Sequence, residues 1–396
     1  MSDGEKRSSV LIEVVKDGYQ NIFGKQWSTH TAGLLLAILS IITFIIARPW
    51  GVVGGLRNWA DWLFYSVGFY EKAPVSAITS TGSILVFGLL WGAFVSALLS
   101  KQFKIQNAPR LELIKGIVGG ILLGIGSAMA GGCNLGGFYQ ALSSLSFSGV
   151  TMLIGLLIGA NLGIRYLYWE MENLTTGSVG KRSESGRDWR FVQPFFGVCA
   201  LLAALAVAYA YGLYAYTAKG GLLLCTVMIG IVFQRSRLCF VAAFRDPFMT
   251  GETDKTKAVI VSLIIAMLGY SALKWGGLRA ENVYITSTFW FGSLVGGLIF
   301  GFGMLLAGGC GSGCAFRAGE GQIKLIVALI FFAVFNSLTK AVMRASSAFT
   351  DLIGRQSFIP HHVPWVVGLA IVIAILLAWY LFVTWNEETE KFVIEM

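Results

Sequence analysis

The chain has 396 residues, of which 56% are hydrophobic and 13% charged, and its mean hydropathy is +0.70. Long apolar runs recur along it, so the composition predicts an all-α polytopic membrane protein. The net charge of +9 does not indicate nucleic-acid binding, because Lys and Arg accumulate on the cytoplasmic side of membrane proteins. Several of the six cysteines lie inside apolar segments, which argues against a secreted disulfide framework.

Near its start the chain has an amphipathic stretch at 9–27, which predicts an interfacial helix. Because the first apolar run begins only after about thirty residues, no cleavable signal peptide is predicted. Residues 56–70 are rich in aromatic side chains and predict a surface or re-entrant segment rather than a full crossing. The predicted organisation is a cytoplasmic segment 1–28, a first transmembrane repeat 29–171, a cytoplasmic linker 172–190, a second transmembrane repeat 191–350, and a C-terminal helix and tail 351–396. The predicted spans are about 31–48, 81–100, 113–130, 149–168, 191–212, 220–244, 257–275, 289–307, 322–343 and 363–384.

The basic residues set the predicted orientation. With the N-terminus in the cytoplasm, the Lys-rich loop at 101–115 and the linker at 172–190 are also cytoplasmic, as the positive-inside rule requires. The C-terminus then lies in the cytoplasm too. Lys340, Arg344 and Arg355 fall on the outer side in this scheme, against the same rule.

One stretch occurs twice, as VGGILLGIGSAMAGGCNLGG at 118–137 and as VGGLIFGFGMLLAGGCGSGC at 295–314, with a constant offset of 177 residues from Cys133 to Cys310. Small residues at three- and four-residue spacing let helices approach closely in a bilayer, and the Gly-Gly-Cys that follows favours a break. By parity of the spans the two copies run in opposite directions. The sequence therefore predicts an inverted repeat of about 9–11 transmembrane helices, with re-entrant or broken helices meeting at the Gly-Gly-Cys loops.

A third break is predicted at 234–240, where the apolar run is interrupted by Gln-Arg-Ser-Arg-Leu-Cys-Phe. One Arg at the centre of a transmembrane helix costs roughly 2.5–3.5 kcal/mol on translocon scales. Two arginines so close together therefore lie near an interface or face a polar cavity or an anion.

These motifs, GIVFQRSRLCFVAAFRDPF at 230–248, the twin Gly-Gly-Cys segments and CGSGCAFRAGEG at 310–321, resemble the YeeE/YedE family of membrane proteins with a sulphur-transport domain. The resemblance spans about residues 80–345. It implies thiosulfate uptake across the inner membrane, through an hourglass of broken helices whose central cysteines match Cys133, Cys239 and Cys310. It also implies a small TusA-like sulfurtransferase as cytoplasmic recipient. The sequence of the first half is similar to the YedE branch linked to selenium metabolism, so a selenium compound remains an alternative substrate.

The chemistry of the residues fits a soft anion. Helix N-termini aimed at the midplane offer free N–H groups, while thiols offer weak donors and polarisable sulfur, and weak binding suits conduction. We expect Cys133 nearer the outside and Cys239 and Cys310 deeper. Asn134 is expected to donate to anion oxygens and the glycines to shape the loops, while Arg237 and Arg317 attract the anion or anchor helix ends. The predicted translocation set is Cys133, Cys239, Cys310, Gly132, Asn134, Gly309, Gly311, Arg237, Cys314 and Arg317.

Several alternatives remain at this stage. Gly311 and Gly313 make a helix after Cys310 doubtful, and a disulfide or soft-metal pair of Cys310 with Cys314 is conceivable. No cofactor and no metal is predicted, since two close thiols without a nearby His make a weak zinc site. The leading hypothesis is an importer of thiosulfate or a related sulfur anion, not an enzyme, with no nucleotide-binding loop to power it. A selenium transporter and a membrane sulfurtransferase that forms a cysteine persulfide are the alternatives, whereas scattered methionines disfavour a soft-metal transporter.

Overall fold

The computed structural model describes residues 16–173, 189–286 and 288–393, together with Glu13. Ten helical segments in this part of the chain are long and apolar enough to cross a membrane. This count confirms the predicted polytopic, all-α class. Residues 174–188, which are most of the predicted linker 172–190, and the N-terminal residues 1–12 lie outside the described residues.

After Gly24, the described part of the first half contains six α-helices. Near the N-terminus, one π-helical turn precedes them at Gln20–Gly24, and another, Asn134–Tyr139, directly precedes the short helix Gln140–Ser143. The helix Val53–Ser66 has 14 residues and is not among the candidate spans, in agreement with a segment that does not cross. The six helices are α1 (Thr29–Ile46), α2 (Val53–Ser66), α3 (Thr81–Leu99), α4 (Arg110–Met129), α5 (Gln140–Ser143) and α6 (Phe147–Asn173).

The described part of the second half contains nine α-helices, and a 3₁₀ turn at Ile359–His361 lies between the last two of them. A further 3₁₀ turn, Trp189–Phe191, leads into the first of them. The nine helices are α7 (Gln193–Leu213), α8 (Thr217–Ser236), α9 (Phe240–Met249), α10 (Asp254–Trp275), α11 (Phe291–Ala307), α12 (Gly311–Gly319), α13 (Ile323–Ala345), α14 (Ser347–Ile353) and α15 (Trp365–Thr389).

The two copies of the duplicated stretch form α4 and α11, which pack against each other in opposite directions. Gly119 lies against Ala307, and Gly126 lies against Gly296, so the start of one helix meets the end of the other. These contacts are between main-chain atoms, because the small residues leave no side chain between the helices. The repeat is therefore inverted, as the parity of the spans predicted.

The remaining contacts follow the same two-fold relationship. The helix α4 packs along α13, and its counterpart α11 packs along α6. In the same way α3 packs on α8, while α10 packs on α1. Exchanging the two halves of the chain converts each of these helix pairs into its counterpart. The two halves therefore pack against each other as equivalent units, and the core lies between them. The boundaries 29–171 and 191–350 remain a prediction.

The bundle has two ends that loop contacts identify. At one, which we call the Gln106 end, Gln106 pairs with Gln322 through the main chain, and Trp27 donates to the carbonyl of Arg235. At the other, the Ser146 end, Ser146 pairs with Phe358. These two names are used below for the two faces of the protein.

Candidate functional site

Four short helical segments begin in the interior of the bundle, and the residue that precedes each one is buried. Cys133 precedes the π-helical turn Asn134–Tyr139, Cys239 precedes α9, and Cys310 precedes α12. Val52 precedes α2 in the same way. Since the first N–H groups of a helix have no intrahelical partner, four sets of free donors and four partial positive charges face the same region.

The Gly-Gly-Cys segments turn the chain inward after a long helix. Gly131 and Gly308 have φ values of 75° and 81°, the left-handed conformation in which a helix often ends and which favours glycine. The second glycine of each pair is packed closely: a Cβ on Gly132 would lie 2.4 Å from the nitrogen of Gly137, and one on Gly309 2.8 Å from Sγ of Cys314. Gly132 and Gly309 therefore shape the loops.

The thiols of the three predicted cysteines lie together around α12. A Cβ on Gly313 would lie 3.5 Å from Sγ of Cys310 and 3.8 Å from Sγ of Cys239. A Cβ on Gly311 would lie 3.2 Å from Sγ of Cys133. Gly311 and Gly313 thus lie between thiols from three different chain breaks. Side chains at these two positions would fill the space that the thiols share.

All three cysteines are buried, with 0% exposure for Cys133, 3% for Cys239 and 1% for Cys310, so none faces the acyl chains. The thiol of Cys310 accepts from the N–H of Gly313 at 3.4 Å and lies 3.4 Å from Oγ of Ser312. The main chain of Val52 and Leu135 lies beside the thiol of Cys133. The thiols of Cys133 and Cys310 are therefore placed next to main-chain groups at the start of a helix, where an anion would meet both kinds of donor.

Asn134 is fully buried and lies next to the first thiol. Its Nδ2 donates to Sδ of Met304 at 3.4 Å, and its Oδ1 has no hydrogen-bond partner within the described residues. The amide thus lies between the two copies rather than free in a cavity. Its proposed donation to anion oxygens would require the contact with Met304 to give way.

The region after Cys310 differs from what was expected. Gly311–Gly319 forms a helix despite its glycines, because Cys310 caps it and it packs against α3 and α13. Cys310 and Cys314 are both free thiols, and the N–H of Cys314 donates to the carbonyl of Cys310 at 2.7 Å. The conceivable disulfide is therefore not formed. In the described residues no group of three or more His, Cys, Asp or Glu side chains could hold a metal.

The arginines have different partners. Nη1 of Arg237 donates to Oε1 of Glu320 at 2.5 Å, and its Nη2 donates to Gln102 at 3.0 Å. Glu320 therefore pairs with Arg237 and not with Arg317, which is only three residues before it in the sequence. Arg317 instead donates to the carbonyl of Gly308 at 3.0 Å, because that carbonyl is left free where α11 ends. Arg317 thus anchors the loop, and Arg237 ties two breaks together at the Gln106 end.

One part of the site was missed in the sequence, namely the break between α1 and α2 that ends at Val52. This valine lies where a fourth cysteine would stand, and its Cγ2 is 2.8 Å from a Cβ placed on Gly311. The available signal was the Pro49-Trp50-Gly51 sequence after the first span, since Pro and Gly mark chain turns. The 177-residue offset did not reveal it, because Val52 and Cys239 are 187 residues apart.

A separate apolar groove of about 590 Å³ lies between α3 and α13. It is lined by Phe87, Trp91 and Ile323 among others, and Phe87 is 45% exposed. None of the central cysteines lines it. The groove opens on the outer surface of the bundle and is not part of the candidate site.

Comparisons with known proteins agree with this architecture. The sequence profile of the sulphur-transport family matches residues 8–162 and 235–394. The probable transporter YedE of Escherichia coli is 29% identical over 326 residues, 76% of this chain and 77% of that protein. The thiosulfate transporter TsuA is 37% identical in Escherichia coli over 127 residues, 32% of this chain and 34% of that protein. In Spirochaeta thermophila, TsuA is 36% identical over 119 residues, 30% and 36% of the two chains.

These relatives are named as transporters and not as enzymes. Their names agree with the ten helical segments among the described residues that are long and apolar enough to cross a membrane. They also agree with a buried interior in which helix ends converge. Because the two matched segments take up most of the chain, this protein belongs to the sulphur-transport family.

Proposed function

We propose that this protein imports thiosulfate, or a closely related small sulfur-containing anion, through the centre of the bundle. The observation that carries the proposal is the meeting of Cys133, Cys239 and Cys310, each at the start of a short helix, around Gly311 and Gly313. The similarity to a thiosulfate transporter over about a third of the chain supports the choice of substrate.

The chemistry of thiosulfate matches such a place. Its two charges require a positive potential away from water, and converging helix N-termini supply one without a fixed countercharge. Its terminal sulfur is soft and polarisable, and a thiol is a weak donor with the same character. Because conduction requires that each contact be released easily, weak donors suit a transport pathway better than buried lysines or arginines would.

The order of the thiols follows from the direction of the helices. The segment after Cys133 leads to the Ser146 end, and α12, after Cys310, leads to the Gln106 end. An anion that enters from the Ser146 end would meet Cys133 first and then pass to Cys239 and Cys310. Asn134 and Gly311, directly after two of the thiols, line the same passage, and Arg237 lies at its far end.

We place the Gln106 end in the cytoplasm. The positive-inside rule supports this orientation, because basic residues are more frequent there. Both termini would then be cytoplasmic, and the anion would be delivered to a cytoplasmic recipient such as a TusA-like sulfurtransferase. The basic residues at this end include Lys25, Lys101, Lys104, Arg110, Arg245 and Lys255.

Uptake into proteoliposomes tests the proposal. Purified protein should accumulate radiolabelled thiosulfate well above protein-free liposomes, whereas sulfate, which lacks the soft terminal sulfur, should accumulate far less. Selenium-containing anions belong in the same panel, because the similarity to YedE covers 326 residues and the name of that protein gives no substrate. Failure to accumulate any sulfur or selenium anion would contradict the proposal.

A membrane sulfurtransferase would leave a different trace. If sulfur were passed as a persulfide, alkylation and mass spectrometry after exposure to thiosulfate would find the extra sulfur on Cys133, Cys239 or Cys310. A passage by hydrogen bonds predicts unmodified thiols. Detection of a persulfide at more than trace level would replace the carrier by the group-transfer alternative.

A further inference from the structure

A buried lysine lies at the Ser146 end without a carboxylate partner. Lys274, in the last turn of α10, is 2% exposed. Its Nζ donates to the carbonyl of Ser144 at 3.1 Å and lies 5.0 Å from the ring centroid of Phe358. These are its contacts within the described residues, and Glu281, which is exposed, acts on it only from a longer distance.

Two buried hydroxyl groups accompany this ammonium group. Ser271 is three residues before Lys274 and therefore lies on the same face of α10. The hydroxyl groups of Ser271 and Ser144 have no hydrogen-bond partner within the described residues. Buried polar groups are normally paired. An ammonium group with spare donors, bonded to the main chain of one serine with an unpaired hydroxyl and one helical turn from another, therefore indicates a missing acceptor.

A chain of polar contacts leads from this place towards the thiols. Tyr270, one turn deeper than Lys274, donates to Oε1 of Gln140 at 2.7 Å. Nε2 of Gln140 donates to the carbonyl of Trp50 at 3.3 Å, two residues before Val52. The segment 134–143 connects Cys133 with Ser144 and is roughly 15 Å long at the rise of an α-helix. Lys274 is thus one short helix away from the first thiol.

We propose that Lys274, Ser271 and Ser144 form an oxyanion-binding site, which we call the station. It is the first site that binds an anion entering from the Ser146 end. That it serves entry rests on the function proposed above. The ammonium group and the hydroxyls are hard donors, so they bind the oxygen atoms of the anion, whereas the thiols receive its soft sulfur. The station therefore accepts sulfate as well as thiosulfate, and selectivity arises deeper in the protein.

Thermal unfolding of the purified protein tests the site without relying on transport. Sulfate and thiosulfate should both raise the melting temperature of the wild type, and chloride at equal ionic strength should not. Lys274→Met keeps the aliphatic stem and removes the charge, so it should increase the anion concentration needed for half of the shift by about ten-fold or more. Lys274→Arg should retain most of the shift.

The matched control is Lys219→Met. Lys219 is near the start of α8 at the same end, where its ammonium group lies over the ring of Tyr216. Its loss should leave the anion-induced shift unchanged. A sulfate-induced shift that needs the same sulfate concentration in Lys274→Met as in the wild type, or no shift in the wild type, would overturn the proposal. If Lys274→Met does not fold, Ser271→Ala must weaken the shift several-fold, and an unchanged shift there overturns it equally.

These outcomes separate the two proposals. If sulfate binding depends on Lys274 but no sulfur anion is taken up by proteoliposomes, the station stands and the transport assignment fails. If uptake occurs with unchanged half-saturation in Lys274→Met, the transport assignment stands and the station fails. A purely structural role of Lys274 would lower the melting temperature or the amount of protein without altering the anion dependence.

Discussion

The two ends of the passage share one backbone plan but differ in charge. From Cys133 a short helical segment leads to Ser144 and Lys274, whose cation has no ion-pair partner in the described residues. From Cys310, α12 leads to Glu320, which neutralises Arg237. Ser143 and Glu320 are related by the same 177-residue offset as the two cysteines. The repeat therefore supplies the path, and the side chains that differ between its copies give it a direction.

A similar comparison holds at the centre. Cys133 and Cys310 are equivalent, but Cys239 is matched by Val52 in the first half. Three thiols and one valine therefore precede the four short helices. If an anion passes by contact with thiols, the deeper half, with two of them, holds it more strongly than the entrance.

The largest effect is expected from Cys310→Ala. It removes the thiol that caps α12 and lies beside Gly313, so uptake into proteoliposomes should be lost, while the free energy of unfolding changes by about 1 kcal/mol. Cys199→Ala, at an exposed position in α7, is the control and should transport normally. Wild-type uptake by Cys310→Ala would remove the thiols from the mechanism.

The second-largest effect on uptake is expected from a methyl group placed between the thiols. Gly313→Ala places its Cβ at ordinary contact distance from Sγ of Cys310 and Cys239, so the fold should tolerate it while the passage narrows. We expect uptake to fall about ten-fold without loss of the melting temperature. Gly136→Ala, the equivalent change in the first copy, meets nothing within 4 Å and should reduce uptake far less. Equal effects of both would show that the copies do not differ as described.

Glu320→Gln should slow the release of the anion at the Gln106 end. Without its carboxylate partner, Arg237 would retain the anion, so the maximal rate should fall about three-fold and half-saturation should move to lower concentration. Initial-rate kinetics over a range of thiosulfate concentrations measure both. A change in protein amount alone, with both constants unaltered, would mean that the ion pair only supports the fold.

The smallest effect is expected from Val52→Cys. The volume changes little, so the fold should be retained, and a fourth thiol beside Gly311 should lower the half-saturating concentration about two-fold. Val52→Ala, which removes bulk without adding a thiol, separates the effect of sulfur from that of space. Identical kinetics in both variants would argue that sulfur at this position does not contact the anion.

Much of the fold could be predicted because each membrane-spanning helix corresponds to a long apolar run in the sequence. The duplicated Gly-Gly-Cys segment also gave the inversion, since the parity of the spans fixes the direction of each copy. The helix at Gly311–Gly319 could not be predicted in this way, because its stability comes from the cap at Cys310 and from tertiary packing rather than from propensity.

The candidate site was predictable where chemistry repeats in the sequence and not where it depends on contacts between distant segments. Cys133 and Cys310 stand in matching motifs, so their convergence could be expected. The partner of Arg237 is 83 residues away in the chain, and only the fold brings Glu320 to it. Val52 is an ordinary apolar residue, and its place beside the thiols follows from a break that no repeat revealed.

The most direct measurement is to locate a bound substrate analogue whose soft atom can be seen. Selenosulfate carries selenium in place of the terminal sulfur, and anomalous scattering from a crystal would give the position of that atom. The account predicts selenium between the thiols of Cys310 and Cys239, beside Gly313, with its oxygen atoms towards helix N–H groups. Selenium only in the outer groove near Phe87, or only against the lipid-facing surface, would contradict it.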